Sequence, residues 1–179
     1  AAYGKEWLVH TVNEPVVDGR LVRADNRKGR LFCETILPAE AQLRTRGGKG
    51  QEFWSNGRNW DLNRKFVDDW EKRGAKDGRG PYWGGWRLEV APKTPAKDDR
   101  FLHVLTATDS AAGVAARTKP VHTETQDGVT LSLPDGTELT VLFNRAGTVG
   151  GEIRRGGTTR PLATTVQPQS GVFAGLKTE

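Results

Sequence analysis

Three histidines, one cysteine, two tyrosines and 22 acidic residues are the groups in this 179-residue chain that could move a proton, attack a carbonyl or hold a metal. His10, His103 and His122 lie in separate strand-like segments, with no cysteine or second histidine at metal-ligand spacing. A single histidine in an apolar strand is expected as a satisfied core or second-layer residue. Cys33 sits in the alternating run Leu31-Phe32-Cys33-Glu34-Thr35-Ile36-Leu37, which reads as a strand and makes the thiol a buried small hydrophobe. Tyr3 and Tyr82 are the only phenolic proton donors. Asp68, Asp69 and Glu71 read as a solvated face, and Asp98 and Asp99 as turn residues before a strand. A glycosidase needs two carboxylates at a set separation, and the sequence singles out no such pair. Gly47-Gly48-Lys49-Gly50 has neither the buried strand before it nor the helix after it that a phosphate loop requires. No Gly-x-Ser-x-Gly nucleophile elbow is present.

The densest chemical feature is aromatic. Five of the six tryptophans, Trp54, Trp60, Trp70, Trp83 and Trp86, fall between positions 54 and 86. Arg58, Arg64, Lys65, Arg73, Arg79 and Arg87 are interleaved with them. Indole faces stack on the apolar side of sugar rings or on bases, and guanidinium forks bind carboxylate or sulfate. Trp54, Arg58, Trp60, Trp83, Trp86 and Arg87 are therefore the candidate carbohydrate-binding residues. The same tryptophans could instead fill a core poor in leucine and methionine. Trp83 and Trp86 have odd spacing, so on a regular strand they face opposite ways unless Gly84-Gly85 forms a bulge.

The elements that must position these groups are nearly all strands. Lys5 to Val12 is an apolar, partly β-branched run. Asp18-Gly19 is a tight-turn signal between Val16-Val17 and Leu21-Val22. Arg30 to Leu37 stops at Pro38, and Gln42 to Arg46 is a short strand candidate. Trp83 to Val90 and Arg100 to Thr108 read as the strongest central strands. Gly128 to Leu133 and Glu138 to Asn144 flank a Pro134-Asp135-Gly136 turn, and Gly151 to Arg155 and Thr159 to Val166 follow. One helix of about two turns is expected at Phe66 to Arg73, ended by Gly74. Many short strands at roughly ten-residue intervals argue for an all-β, antiparallel sandwich of stacked sheets. The Pro- and Lys-containing stretch Ala91 to Lys97 suggests a junction, giving a 1–96 segment with the Trp-rich loop region and a 97–179 segment, packed as one sandwich unit.

Composition bounds the function. The chain is 35% hydrophobic with six Trp and six Phe, which supports a core and excludes a disordered tail. No apolar run approaches the roughly 20 residues of a membrane helix. The net charge of +5 and pI near 9.6 favour polyanionic partners: acidic polysaccharide, nucleic acid or an anionic surface. The chain has no Met, even at position 1, and no secretory leader opens it. It is expected to be a processed or excised piece of something longer.

Five stretches, in order, resemble the C-terminal β region of the heparinase II/III family of polysaccharide lyases. They are Trp7-Leu8-Val9-His10-Thr11-Val12-Asn13-Glu14-Pro15; Gly29-Arg30-Leu31-Phe32 with Thr35-Ile36-Leu37-Pro38; Glu52-Phe53-Trp54-Ser55-Asn56-Gly57-Arg58-Asn59-Trp60; Gly85-Trp86-Arg87-Leu88-Glu89-Val90; and Asp99-Arg100-Phe101-Leu102-His103-Val104-Leu105. The resemblance spans Trp7 to Asp109; beyond Ala111 only general β character continues.

That family is similar in carrying an α/α-toroid followed by stacked antiparallel sheets. It cleaves uronate-containing polysaccharides by β-elimination, in which a base takes the proton α to the carboxylate and an acid protonates the leaving oxygen. The family's catalytic Tyr, His and Asn and its metal ligands lie in the toroid and the earliest β segments, and nothing in this chain matches those motifs. The resemblance thus implies a lyase as parent and a non-catalytic β region here, with no catalytic residue, metal or cofactor carried over. It also implies a periplasmic or extracellular location, with the catalytic toroid and acidic polysaccharide as partners; the lack of a long apolar run leaves no membrane partner expected. The alternative is a stand-alone carbohydrate-binding module using the Trp/Arg surface. A nucleic-acid-binding barrel ranks last, for want of any module motif.

Overall fold

The computed structural model describes residues 7–51, 53–55, 57–60, 68–69, 72, 85–94, 96–111, 113–162 and 164. The protein is almost entirely antiparallel β, with 14 strands in four sheets among the described residues. The expected helix near 66–73 falls mostly outside the described residues; Asp68, Asp69 and Lys72 are helical. The chain forms two compact units, Ala1–Ala115 and Ala116–Glu179.

In the first unit, β1 (Trp7–Thr11), β8 (Trp86–Pro92) and β5 (Ala41–Gly47) form a three-stranded sheet with β8 in the centre. β2 (Val16–Asp18), β3 (Leu21–Asn26), β4 (Gly29–Leu37) and β9 (Leu102–Asp109) form a four-stranded sheet in that order. The two sheets pack face to face. Val22 and Cys33 from the four-stranded sheet meet Leu88 and Val90 from the three-stranded one, and Val9, Ala41 and Leu43 complete the cluster. This is a sandwich core built by strand alternation. A small two-stranded hairpin, β6 (Trp54–Ser55) and β7 (Arg58–Asn59), lies in the loop between β5 and β8.

The two compact units divide at Ala115/Ala116, since β9 pairs with β4 from Gly29↔Asp109 to Leu37↔Leu102. Eight ladder positions tie residues 102–109 into the first unit. The Asp18-Gly19 signal becomes the β2–β3 hairpin, with Gly19 at φ +57° in the left-handed region that a tight turn needs.

Arg20, next in that hairpin, clamps the exit of β4. Its Nε donates to the Thr35 carbonyl at 2.7 Å and its Nη1 to the Ala39 carbonyl at 2.6 Å. Its Nη2 donates to the carbonyls of Thr35 and Ile36. The Thr35 amide in turn donates to the Arg20 carbonyl at 3.0 Å. One planar fork thus satisfies the backbone oxygens freed where the β4–β9 register shifts between Thr35 and Leu37.

The second unit is a meander, β10 (Arg117–His122), β11 (Gln126–Ser132), β12 (Glu138–Asn144), β13 (Gly151–Arg155) and β14 (Thr158–Pro161). β10 carries Pro120, tolerated because this is an edge strand. The Pro134-Asp135-Gly136 turn closes β11 onto β12: Asp135 accepts from the Thr137 amide at 2.9 Å and hydroxyl at 2.6 Å. Those bonds hold the Asp135 carboxyl below its ordinary range.

All six tryptophans precede Ala115, so tryptophan fluorescence reports the first unit alone. Arg20→Ala and Arg20→Lys are both expected to destabilise that unit by roughly 2–4 kcal/mol, since lysine keeps the charge but not the fork. Urea titration followed by tryptophan emission measures this; an unshifted midpoint for Arg20→Lys contradicts the clamp.

Candidate functional site

The central strand β8 sorts its side chains by parity. Trp86, Leu88 and Val90 share the inward face, and Arg87 and Glu89 share the outward one. The ladders carry this across the sheet. His10, Arg87 and Arg46 form one transverse row, and Leu8, Glu89 and Arg44 the next. The outer face of the three-stranded sheet is therefore a cationic surface set by pleat and register.

Glu89 is the hub. It is only 8% exposed. Its Oε1 accepts from Arg87 Nε at 2.7 Å and Nη2 at 2.6 Å, and from Arg46 Nε at 3.3 Å. Arg87 Nη1 also donates to the Trp54 carbonyl, and the Arg46 guanidinium stands over the Trp54 ring at 5.3 Å. These two arginines tie the β6–β7 hairpin to the sheet.

The hairpin has its own register. Trp54 opposes Asn59 and Ser55 opposes Arg58, with Gly57 at φ +79° in the turn. The Phe53 amide donates to Asn59 Oδ1 at 2.8 Å, and Trp60 Nε1 donates to the Ser55 carbonyl at 3.0 Å. Trp60 is thereby fixed at its polar edge while remaining 42% exposed. The Arg58 guanidinium lies over the Trp60 ring, 3.5 Å from its centroid. At that distance the guanidinium packs against the indole face. Among the described residues, Arg44, Arg46, Arg58 and Arg87 share this surface with one carboxylate, Glu89. Anionic groups are the ligands such a surface attracts.

Of the candidates read from sequence, Trp54, Arg58, Trp60 and Arg87 come together here. Trp86 does not. It is half-buried on the inner face, with its ring against Gly48 and its backbone against Gly47, where a Cβ would stand 3.1 Å and 2.5 Å from it. Trp83 lies outside the described residues. Arg46 and Glu89 were not singled out from sequence, and His10 was read there as a core or second-layer residue rather than as part of this surface. The alternation Arg44-Thr45-Arg46 in a short strand was the available signal for the first of them.

The three histidines sit in three different sheets. His10 on β1 is exposed rather than part of the core. His122 on β10 places Nδ1 3.1 Å from Oδ1 of the buried Asp127, whose Oδ2 is 3.5 Å from Arg145 Nε. His103 on β9 stacks on Phe101 with ring centroids 6.4 Å apart, and burial lowers its pKa to about 4. Cys33 is buried, as expected, and burial raises its pKa to about 11, far from a reactive thiolate. Gly47–Gly50 does follow a strand, β5, but turns back through a Gln51 amide to Gly48 carbonyl bond of 2.9 Å instead of opening a helix. No group of three or more His, Cys, Asp or Glu is placed to hold a metal among the described residues. No helix among them is long and apolar enough to cross a membrane.

A cleft of about 380 Å³ opens between the end of β1 and the β3–β4 hairpin, and His10 is in its wall. A second concavity, about 580 Å³, lies on the five-stranded sheet beside Leu139, Ile153 and Pro161, edged by Arg155 and Arg160. No family model matches the chain, and no curated protein matches it either.

Two outcomes follow from these surroundings. His103 has a folded-state pKa below that of an unfolded histidine, so the unfolded chain binds the extra proton. Stability of the first unit is complete above about pH 6.5 and falls as the pH drops toward about 4. His103→Phe should flatten that slope in urea midpoints taken across this range; an identical slope in the variant refutes the assignment. Glu89→Gln leaves two guanidiniums without their shared carboxylate and should cost roughly 1–3 kcal/mol. Urea unfolding read by tryptophan emission checks this.

Proposed function

We propose that this chain is the non-catalytic C-terminal β-sandwich region of a heparinase II/III-like polysaccharide lyase, lining the path of a uronate-containing polysaccharide. The observation that carries the reading is the packed Arg58–Trp60 pair beside the Arg46–Glu89–Arg87 cluster. An indole face already covered by a guanidinium is a poor bare platform for a neutral sugar. The same pair is a good receptor for an acidic one, because the fork, supported on the indole, takes the carboxylate or sulfate. The order of the five family-like segments and the stacked sheets support the parentage. In that setting the β region scaffolds a catalytic toroid, and the elimination chemistry belongs to residues of the parent outside this chain. A periplasmic or extracellular place accompanies the reading, since acidic glycans are met there.

The 42% exposure of Trp60 favours one second reading, a stand-alone binding module for acidic glycans. The two readings differ in what the isolated chain does. A module binds with useful affinity alone, whereas a cleft wall binds weakly until the toroid supplies the opposite side.

Incubation with heparin, heparan sulfate, alginate and hyaluronan is expected to yield no unsaturated uronate, followed by its ultraviolet absorbance. Turnover would place the catalytic set inside this chain. Binding to the preferred polyanion should weaken steeply with added salt, as ion release requires. Arg58→Ala should lower affinity by about 5- to 10-fold, the effect of one charge-assisted contact. Salt-independent binding, or an unchanged Arg58→Ala, overturns the anion-receptor reading.

A further inference from the structure

We propose that the cleft between β1 and the β3–β4 hairpin is a sugar subsite continuous with the arginine surface, holding one pyranose ring of the bound glycan. The inference rests on the acidic-glycan reading and extends it to a second location.

The link is His10. As a residue it stands in the transverse row with Arg87 and Arg46, and it is also one of the residues at the wall of the cleft. Directly opposed residues on neighbouring strands lie about 5 Å apart, so the row runs roughly 10 Å across the sheet. That step per strand is comparable with one sugar residue along a glycan. A chain lying over Arg46 and Arg87 therefore arrives at His10 and then at the cleft mouth.

The cleft has the two surfaces a pyranose needs. Its floor is aliphatic, from Val12, Ala24 and Leu31, suited to ring C–H groups. Its rim is polar. Asn26 is exposed there beside Asp25. Asp25 is gripped by Arg30, with Nε to Oδ1 at 2.6 Å and Nη2 to Oδ2 at 3.1 Å. That hydrogen-bonded pairing holds the Asp25 carboxyl below its ordinary range. Asn13 Nδ2 fixes the backbone behind it, donating to the Asp25 carbonyl at 2.8 Å. Asp25 opposes Arg30, so their paired side chains stand on the face of the four-stranded sheet opposite to Ala24 and Leu31, and Asn26, which shares the face of Ala24, offers sugar hydroxyls both a donor and an acceptor. Because Arg30 is committed to Asp25, this subsite reads hydroxyls, while anionic groups are read by the arginine row. The volume, about 380 Å³, is within the range of small-ligand sites.

The test titrates the full chain by calorimetry with size-fractionated heparin, hyaluronan and alginate di- and hexasaccharides. Wild type should bind one hexasaccharide class more tightly than its disaccharide. His10→Ala and Asn26→Ala, both exposed changes, should each lower hexasaccharide affinity by about 5-fold and the double variant should erase most of the length gain. Urea midpoints of the variants, read by tryptophan emission, establish that each is folded. If Arg58→Ala weakens binding but both cleft variants bind like wild type, the subsite is overturned and the arginine surface stands. If no anionic oligosaccharide binds wild type, the glycan reading itself falls, and this extension with it.

Discussion

The pleat of β8 is the constraint on which the first unit depends. It sends Leu88 and Val90 into the core against Val22 and Cys33, and sends Arg87 and Glu89 to the opposite face. A one-residue slip would bury two charges and expose two fully buried aliphatic groups. The core therefore fixes the register, and the register fixes the surface. Arg46 and His10 stand beside Arg87 because Leu43, Val90 and the neighbouring β1 strand lock the ladders.

Charge is handled in the same economical way. Two guanidiniums converge on one poorly exposed carboxylate, and one of them also reaches the Trp54 carbonyl. A β6–β7 hairpin of two residues per strand could not hold itself in water. It is held by Arg46 over its indole and Arg87 on its backbone. The anion-attracting surface and the anchoring of the hairpin are thus one set of bonds, and a ligand that draws on Arg46 or Arg87 competes with Glu89 for them.

Much of this fold was legible because local chemistry and tertiary context agree. The runs at β4 and β12 are largely apolar, β13 is short and polar, and all three are bounded by Gly, Pro or Asn, with limits that match the strands closely. The β6–β7 hairpin was harder. Ser55, Arg58 and Asn59 carry no strand signal, and Asn56-Gly57 was the one turn cue. β10 is polar and contains a proline, so its strand character comes from pairing with β11. The site was half legible. Residue type pointed to Trp54, Arg58, Trp60 and Arg87, but face is a property of register, and only the ladders separate Trp86 from Arg87. Long-range register likewise brings in Arg46 and His10, from strands separated by the intervening sequence, and sets the unit boundary beyond β9.

Hydrogen exchange of the full chain with and without a bound acidic hexasaccharide tests the central claim most directly. The account predicts slowed exchange in the β6–β7 hairpin and in β5 and β8, with the five-stranded sheet unchanged. Protection confined to residues 117–161, or spread evenly over both units, would contradict it.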